Sequence, residues 1–146
     1  MKVRELMTRD VKTCSPDAPV AGAAQIMSER NCGAVPVVSG EKVVGILTDR
    51  DIVLRVVAKG KDANMTRCGE CMTQSVITAS PEMDAHEAAD LMARHQIRRL
   101  PVVENGRLVG IVALGDMATV HIHVDEAGQA LSSISTPSEP SEPRAH

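Results

Sequence analysis

Aromatic side chains are missing from this sequence, whose 146 residues include no phenylalanine, tryptophan or tyrosine. Proteins that bind single-stranded nucleic acid without sequence preference stack the bases on such rings, so the sequence offers no platform of that kind. An excess of basic charge is missing as well, because 16 Lys and Arg face 19 Asp and Glu, for a formal net charge of −3. Nucleic-acid binders usually carry a basic footprint. We therefore expect no nucleic-acid partner.

Long apolar runs are also missing. The longest stretch free of Asp, Glu, Lys and Arg covers residues 127–138, several of which are polar, whereas a membrane-spanning helix needs about 20 apolar residues. The start of the chain, residues 1–5, is charged and lacks the apolar core of a secretion signal. Four cysteines are too few for a disulfide scaffold. We expect a cytoplasmic protein that does not contact membranes.

Motifs of common enzyme classes do not occur. The sequence contains no GxSxG nucleophile elbow, no phosphate-binding P-loop, no HExxH zinc motif and no GxGxxG dinucleotide fingerprint. We therefore expect a protein that is not an enzyme and requires no cofactor.

The chain repeats itself after 65 residues. Of the 53 positions from 3 to 55, 17 carry the same residue 65 places later, without a gap. Pro36-Val37-Val38, for example, returns as Pro101-Val102-Val103. This is a tandem duplication, and a repeat unit of this size buries its sheet face only against a neighbour.

Each copy has the pattern of a β-α-β-β-α unit, in which a short β-rich piece precedes an amphipathic helix, a hairpin and a second helix. The fold class is therefore α/β (α+β), with two half-domains packed about a pseudo-two-fold axis. The predicted elements are short strands at 11–13 and 76–78, helices around 20–27 and 85–92, hairpins at 35–47 and 100–112, and a second helix at 49–60. We assign residues 1–60 and 68–124 to the two domains, 61–67 to a linker and 125–146 to a tail that is disordered from about residue 132.

Thr48 and Asp51 mark the start of the second helix in the first copy. A threonine followed three residues later by an acid is typical of an N-terminal helix cap. The same arrangement suits ligand binding, because a hydroxyl and free backbone amides donate hydrogen bonds to phosphate and a carboxylate accepts hydrogen bonds from a ribose diol. In the second copy Ala113 replaces the threonine while Asp116 retains the acid. That retention favours a ligand role, since the acid has lost its capping partner.

Two further clusters have a structural and a functional interpretation. Four of the six residues 94–99 are Arg or His, against one basic residue in the matching stretch of the first copy. They form either a solvated helix end or an anion clamp through Arg98 or Arg99. Cys68 and Cys71 are either small buried hydrophobes or half of a zinc site that His121 and His123 would complete.

The doubled pattern resembles a tandem pair of CBS domains, the Bateman module, over residues 1–124. Two motifs carry the resemblance most clearly, the repeated Pro-Val-Val and the segment Gly45-Ile46-Leu47-Thr48-Asp49-Arg50-Asp51. The resemblance implies that clefts between the halves bind adenosine-containing ligands such as AMP, ADP, ATP, NAD or S-adenosylmethionine. It also implies a dimer of such pairs, as in small stand-alone members of the family.

The resemblance assigns roles to residues of both copies. Asp51 and Asp116 match the ribose-binding acid, Thr48 matches the phosphate-contacting threonine, and Arg99 is a candidate phosphate contact. The remaining positions flank the adenine pocket: Thr13, Val35, Pro36, Thr78, Leu100 and Pro101. Because Ala113 departs from the pattern, we expect at most one strong site, formed with Thr48 and Asp51.

Three hypotheses follow from these observations. The first is a non-enzymatic sensor whose adenine-nucleotide occupancy changes its dimer geometry or its contacts with an unidentified protein partner. The second is a dimerisation module that binds no ligand, in which Asp51 is only a cap. The third is a zinc or thiol sensor that uses Cys68 and Cys71.

Overall fold

The computed structural model describes residues 1–118. Its helices and strands follow one another as α1 (Val3–Leu6), α2 (Val20–Arg30), β1 (Ala34–Ser39), β2 (Lys42–Thr48), α3 (Asp49–Ile52), a π-helical segment (Val53–Val57), α4 (Cys68–Cys71), α5 (Ala85–His95), β3 (Arg99–Glu104), β4 (Arg107–Ala113) and α6 (Leu114–Ala118). The mixed helix and strand content confirms the predicted α+β class. The predicted tail and the histidines at 121 and 123 lie outside the described residues.

Two antiparallel hairpins form the described sheets, β1 with β2 and β3 with β4. In the first, Val35 pairs with Leu47 and Pro36 with Ile46, within the hairpin predicted at 35–47. Both residues of the Asn105-Gly106 turn have positive φ, 53° and 79°, which is the geometry of a two-residue type I′ hairpin. The hairpins therefore follow directly from local sequence.

The chain forms two compact units that do not coincide with the two repeats. Within residues 1–118, unit 1 contains Met1–Asp10, Ile77–Asn105 and the residues from Val109 to Ala118, whereas unit 2 contains Val11–Val76 and Gly106–Leu108. The first residues of each repeat thus belong to the unit built around the other repeat. The domain boundaries drawn above from the repeat stay a prediction.

Backbone hydrogen bonds hold these leading segments in place. In unit 1, Val3 N–H donates to the Met83 carbonyl (2.8 Å), and Thr8 and Ile111 exchange two bonds of 2.8 and 2.9 Å. Unit 2 repeats the arrangement 65 residues later, with Cys68 N–H on Ala18 (2.8 Å) and a reciprocal pair of 3.0 and 2.9 Å between Ile46 and Thr73. Each leading segment therefore adds a short strand-like contact to one hairpin.

Each unit has its own apolar core. In unit 1 the helix α5 packs Ala88 and Met92 against Leu100 and Val102 of β3. In unit 2 the helix α2 packs Ala23 and Met27 in a cluster that includes Val37. Aliphatic side chains and sulfur fill both cores, since no aromatic ring is available.

Two predicted elements differ from the structure. The short strands expected at 11–13 and 76–78 are reduced to single parallel bridges, Cys14 with Val37 and Ala79 with Val102. The second helix does not run unbroken from residue 49 to 60, because its middle is the π-helical segment. The helical segment ends at Val57, and the turn after it ends at the predicted glycine cap, Gly60, whose φ is 69°. There Gly60 N–H bonds to Val57 and Lys61 N–H to Val56 (3.1 and 3.0 Å), as in a Schellman cap.

Candidate functional site

Thr48 and Asp51 form a reciprocal cap where β2 passes into α3. The Asp51 N–H donates to Thr48 Oγ1 over 3.1 Å, and the Thr48 N–H donates to Asp51 Oδ2 over 3.0 Å. The capping interpretation of this pair is therefore confirmed. The adjacent Asp49 N–H bonds to the Gly33 carbonyl at 2.9 Å and ties the start of the helix to the chain entering β1.

The cap leaves two polar groups of this pair without a hydrogen-bond partner in the described part of the chain. Thr48 is 8% exposed and Asp51 is 9% exposed, so both are buried. Asp51 Oδ1 accepts no hydrogen bond within residues 1–118, and its nearest cation is Arg55 Nη1 at 3.9 Å, which is too long for one. The Thr48 hydroxyl likewise accepts from Asp51 but donates to nothing in that range. Buried polar groups normally have partners, so this pair has the capacity to bind a ligand.

The apolar residues assigned to this site lie beside it in unit 2. Val35 and Pro36 are buried in β1, and Ala34, at the start of that strand, is paired with Thr48. Thr13 is half-buried and precedes Cys14, whose N–H donates to the Pro36 carbonyl at 3.1 Å. Unit 2 therefore brings these residues to the amino-terminal half of β1.

Arg55 also lies beside the Thr48–Asp51 corner, the junction of β2 and α3, although the sequence patterns did not single it out. It follows Asp51 by four residues, a spacing at which an acid and a base on one helix face each other. Its Nη1 donates to the Cys71 carbonyl at 2.9 Å and to the Met72 carbonyl at 3.2 Å. The acid–base spacing was the sequence feature that could have identified it.

The second repeat places its matching residues in unit 1. Asp116 is half-buried, and its Oδ2 accepts from the Ala113 N–H at 2.8 Å. The carboxylate thus caps the helix without a threonine, so its retention has a structural cause, contrary to the argument from sequence. The Leu114 N–H donates to the Arg98 carbonyl at 2.8 Å, which ties the start of α6 to the residue before β3.

The ten residues assigned above are divided evenly between the units. Leu100 and Pro101 are buried, Arg99 is half-buried and Thr78 is exposed. Unit 2 contains Thr13, Val35, Pro36, Thr48 and Asp51, and unit 1 contains Thr78, Arg99, Leu100, Pro101 and Asp116.

Three cysteines lie in the core of unit 2. Cys14, Cys68 and Cys71 are all buried and free. Burial raises the pKa of the Cys14 thiol to about 12, and it raises the pKa of Cys68 and Cys71 as well. Because the thiolate is the reactive form, these thiols are poor nucleophiles near neutral pH. Their positions match the interpretation of cysteine as a small hydrophobe.

Metal ligands do not cluster within the described residues. No group of three His, Cys, Asp or Glu side chains in residues 1–118 is placed to hold a metal ion. His121 and His123, the further zinc ligands considered from the sequence, lie beyond this range.

Comparison with known proteins identifies the family. The CBS domain family matches twice, over residues 3–58 and 68–122. The chain belongs to the CBS-domain family. This CBS pair is 46% identical over 133 residues to the CBS domain-containing protein YhcV of Bacillus subtilis, covering 91% of this chain and 94% of that protein. The suspected family is therefore confirmed.

Solved structures of CBS proteins agree with the fold of this CBS pair. Hypoxic Response Protein I, solved with two coordinated zinc ions, aligns with a TM-score of 0.77 and 34% identity over 82% of this chain and 98% of that chain. The CBS domain pair of protein MJ0100, solved in complex with 5-methylthioadenosine and S-adenosyl-L-methionine, aligns with a TM-score of 0.74 and 29% identity over 83% of this chain and 95% of that chain. No helix within residues 1–118 is long and apolar enough to cross a membrane.

Proposed function

We propose that this CBS pair is a non-enzymatic regulatory protein that binds an adenosine-containing ligand at the Thr48–Asp51 corner. One observation carries the proposal: a buried carboxylate oxygen and a buried hydroxyl, three residues apart, make no further hydrogen bond with the described chain. A buried polar group without a partner costs roughly 1–3 kcal/mol. A ligand that supplies a donor to Asp51 Oδ1 and an acceptor to Thr48 Oγ1 offsets that cost.

A nucleoside with a ribose diol and a phosphate fits both requirements. A ribose hydroxyl donates to the Asp51 carboxylate, and a phosphate oxygen accepts from the Thr48 hydroxyl. Val35 and Pro36 supply apolar surface for the base, with Thr13 beside it. The adenosine compounds bound to the CBS pair of MJ0100 support this ligand class. The candidate ligands are AMP, ADP, ATP, NAD and S-adenosylmethionine.

The matching corner of unit 1 is proposed as a weaker site. Ala113 supplies no hydroxyl there, so a phosphate would depend on Arg99 as its contact. Asp116 is also less buried than Asp51, and a more hydrated carboxylate gains less from a ligand hydrogen bond. We therefore propose one strong site, formed by Thr48 and Asp51.

Differential scanning calorimetry of the wild type and two matched variants tests this function. A ligand at 100 times its Kd stabilises the folded state by about 2.7 kcal/mol, which raises the midpoint of this chain by roughly 5–10 °C. We expect such a rise with at least one of AMP, ATP, NAD and S-adenosylmethionine. Asp51→Asn should remove it, because the amide keeps an acceptor for the Thr48 N–H but loses the charge that binds the diol.

Asp116→Asn is the matched control and should retain most of the midpoint rise. An equal rise in the wild type and in Asp51→Asn would contradict the site assignment. No rise with any of the four compounds or with ADP would contradict the function itself.

We also propose that the protein forms a homodimer, which is the function that remains if no ligand binds. Apolar side chains are unusually exposed on the π-helical segment of unit 2, where Val53 is 54% and Val57 is 66% exposed. Leu54 of the same segment is 44% exposed, and Met65, later in the chain, is 81% exposed. Exposed apolar patches of this kind are typical of protein interfaces.

A further inference from the structure

We propose that Arg55 couples ligand binding at Asp51 to the docking of residues 71–73 on β2. This inference rests on the proposed function, because it requires a ligand that donates a hydrogen bond to Asp51. It assigns to Arg55 the role of a positioning residue rather than a contact of the ligand.

The guanidinium of Arg55 lies between two kinds of partner. Its Nη1 donates to the carbonyls of Cys71 and Met72 at 2.9 and 3.2 Å. The same nitrogen is 3.9 Å from Asp51 Oδ1. The two carbonyls therefore receive the hydrogen bonds, while the carboxylate attracts the guanidinium through charge alone.

The residues that Arg55 holds from one side are docked on β2 from the other. Thr73 and Ile46 exchange two backbone hydrogen bonds of 2.9 and 3.0 Å. Met72 packs on Gly45 so closely that a Cβ at that glycine would collide with the methionine side chain. Unit 2 ends shortly afterwards at Val76, and unit 1 resumes at Ile77. The docked segment is therefore the stretch through which the chain leaves unit 2.

Ligand binding changes how strongly Arg55 interacts with the Asp51 carboxylate and with the carbonyls of Cys71 and Met72. A ribose hydroxyl that donates to Asp51 Oδ1 spreads its negative charge and weakens its attraction for the guanidinium. Arg55 then bonds more strongly to the carbonyls of Cys71 and Met72, and residues 71–73 dock more tightly on β2. By linkage, tighter docking raises ligand affinity by the same factor.

The second repeat does not carry this device in its sequence. The position 65 residues after Arg55 is Val120, which has no side-chain donor. The backbone pair between Thr8 and Ile111 in unit 1 matches the pair between Thr73 and Ile46. It therefore serves as an internal control within the same molecule.

Amide hydrogen exchange of the full chain tests the coupling, with AMP, ATP, NAD and S-adenosylmethionine added separately. We expect the stabilising compound to slow exchange of the Ile46 and Thr73 amides by about fivefold or more, the lower end of usual coupling factors. The Thr8 and Ile111 amides should slow less, because only the overall stabilisation by the ligand reaches them. Arg55→Gln should still bind the compound, as judged by its midpoint rise, but its Ile46 and Thr73 amides should slow no more than its Thr8 and Ile111 amides.

Two further variants keep the test informative. Arg55→Lys retains the charge and one carbonyl hydrogen bond, so it should keep part of the slowing, and it replaces Arg55→Gln if that variant does not fold. Lys59→Gln, an exposed change on the same stretch of chain, should behave as the wild type.

The failures are distinguishable. Suppose that a compound raises the midpoint. If the additional slowing of amide exchange at Ile46 and Thr73 is then the same in the wild type and in Arg55→Gln, or is absent from both proteins, the coupling is wrong and the proposed function stands. If no compound raises the midpoint of the wild type, both are wrong.

Discussion

Two glycines occupy matching positions where the leading segments dock. A Cβ at Gly110 would lie 2.8 Å from both Met7 Sδ and the Thr8 carbonyl oxygen, and one at Gly45 would lie 3.0 Å from the Thr73 carbonyl oxygen. In the repeat, Met7 corresponds to Met72 and Gly110 corresponds to Gly45, each 65 residues away. These identities in the repeat therefore correspond to one contact that is made twice.

Alanine at either glycine should destabilise the protein. Because the nearest atoms include backbone oxygens, the added methyl group cannot be accommodated by side-chain movement alone. We expect Gly45→Ala and Gly110→Ala each to lower the free energy of unfolding by about 1–3 kcal/mol, as overpacking does. Far-UV circular dichroism during urea unfolding measures this without aromatic residues.

Gly22→Ala provides the control of opposite sign. Gly22 lies in α2, and a Cβ there meets nothing within 4 Å. Alanine should therefore raise stability by about 0.5–1 kcal/mol through helix propensity. If Gly110→Ala were as stable as Gly22→Ala, the close packing of the leading segment would be contradicted.

Residue-level patterns predicted the Thr48–Asp51 pair because both partners lie within one helical turn. The same local logic predicted the Asn105-Gly106 turn and the glycine cap at Gly60. It missed Arg55, whose hydrogen-bond partners lie 16 and 17 residues away. It also missed the capping role of Asp116, whose carboxylate accepts from the Ala113 N–H without a threonine.

At the scale of elements, a change of helix geometry follows the candidate site. The helix that starts at Asp49 changes to π-helical geometry at Val53. Apolar periodicity could not predict this change, because a single π-turn differs from an α-turn only in a backbone hydrogen bond that spans one more residue. Val53 and Val57, the first and last residues of the π-helical segment, are exposed.

This exposed surface predicts the interface of the homodimer. Val57→Glu should place a desolvated charge in the interface and shift the protein towards the monomer by about tenfold or more in dissociation constant. Analytical ultracentrifugation with interference optics measures this shift without aromatic absorbance. Lys59→Gln, two residues away, changes the net charge by the same one unit, so it is the matched control and should remain dimeric.

The homodimer proposal fails under either of two results. One is a wild type that sediments as a monomer at all concentrations tested. The other is a Val57→Glu variant as dimeric as the wild type, which would place the interface elsewhere.

At the scale of the whole chain, the repeat predicted two similar halves but not how the chain divides between them. The leading segment of each repeat joins the other repeat's unit, through hydrogen bonds such as those of Val3 and Cys68. The bond of Val3 to Met83 joins residues 80 positions apart and the bond of Cys68 to Ala18 joins residues 50 positions apart, which no local pattern encodes. The comparisons then established the CBS family from the whole sequence.

The central claim is that Asp51 receives a ribose hydroxyl of an adenosine-containing ligand. Isothermal titration calorimetry tests it most directly. Two ligands are compared, the compound that stabilises the wild type and its 2′-deoxyribose analogue, and each is titrated into the wild type and into Asp51→Asn. A hydrogen bond to a charged group contributes about 1.5–3 kcal/mol, so we predict that the analogue binds the wild type about 10- to 100-fold more weakly. Asp51→Asn should bind both compounds with similar, weak affinity. If the analogue lost the same factor in affinity in the wild type and in Asp51→Asn, the claim would be contradicted.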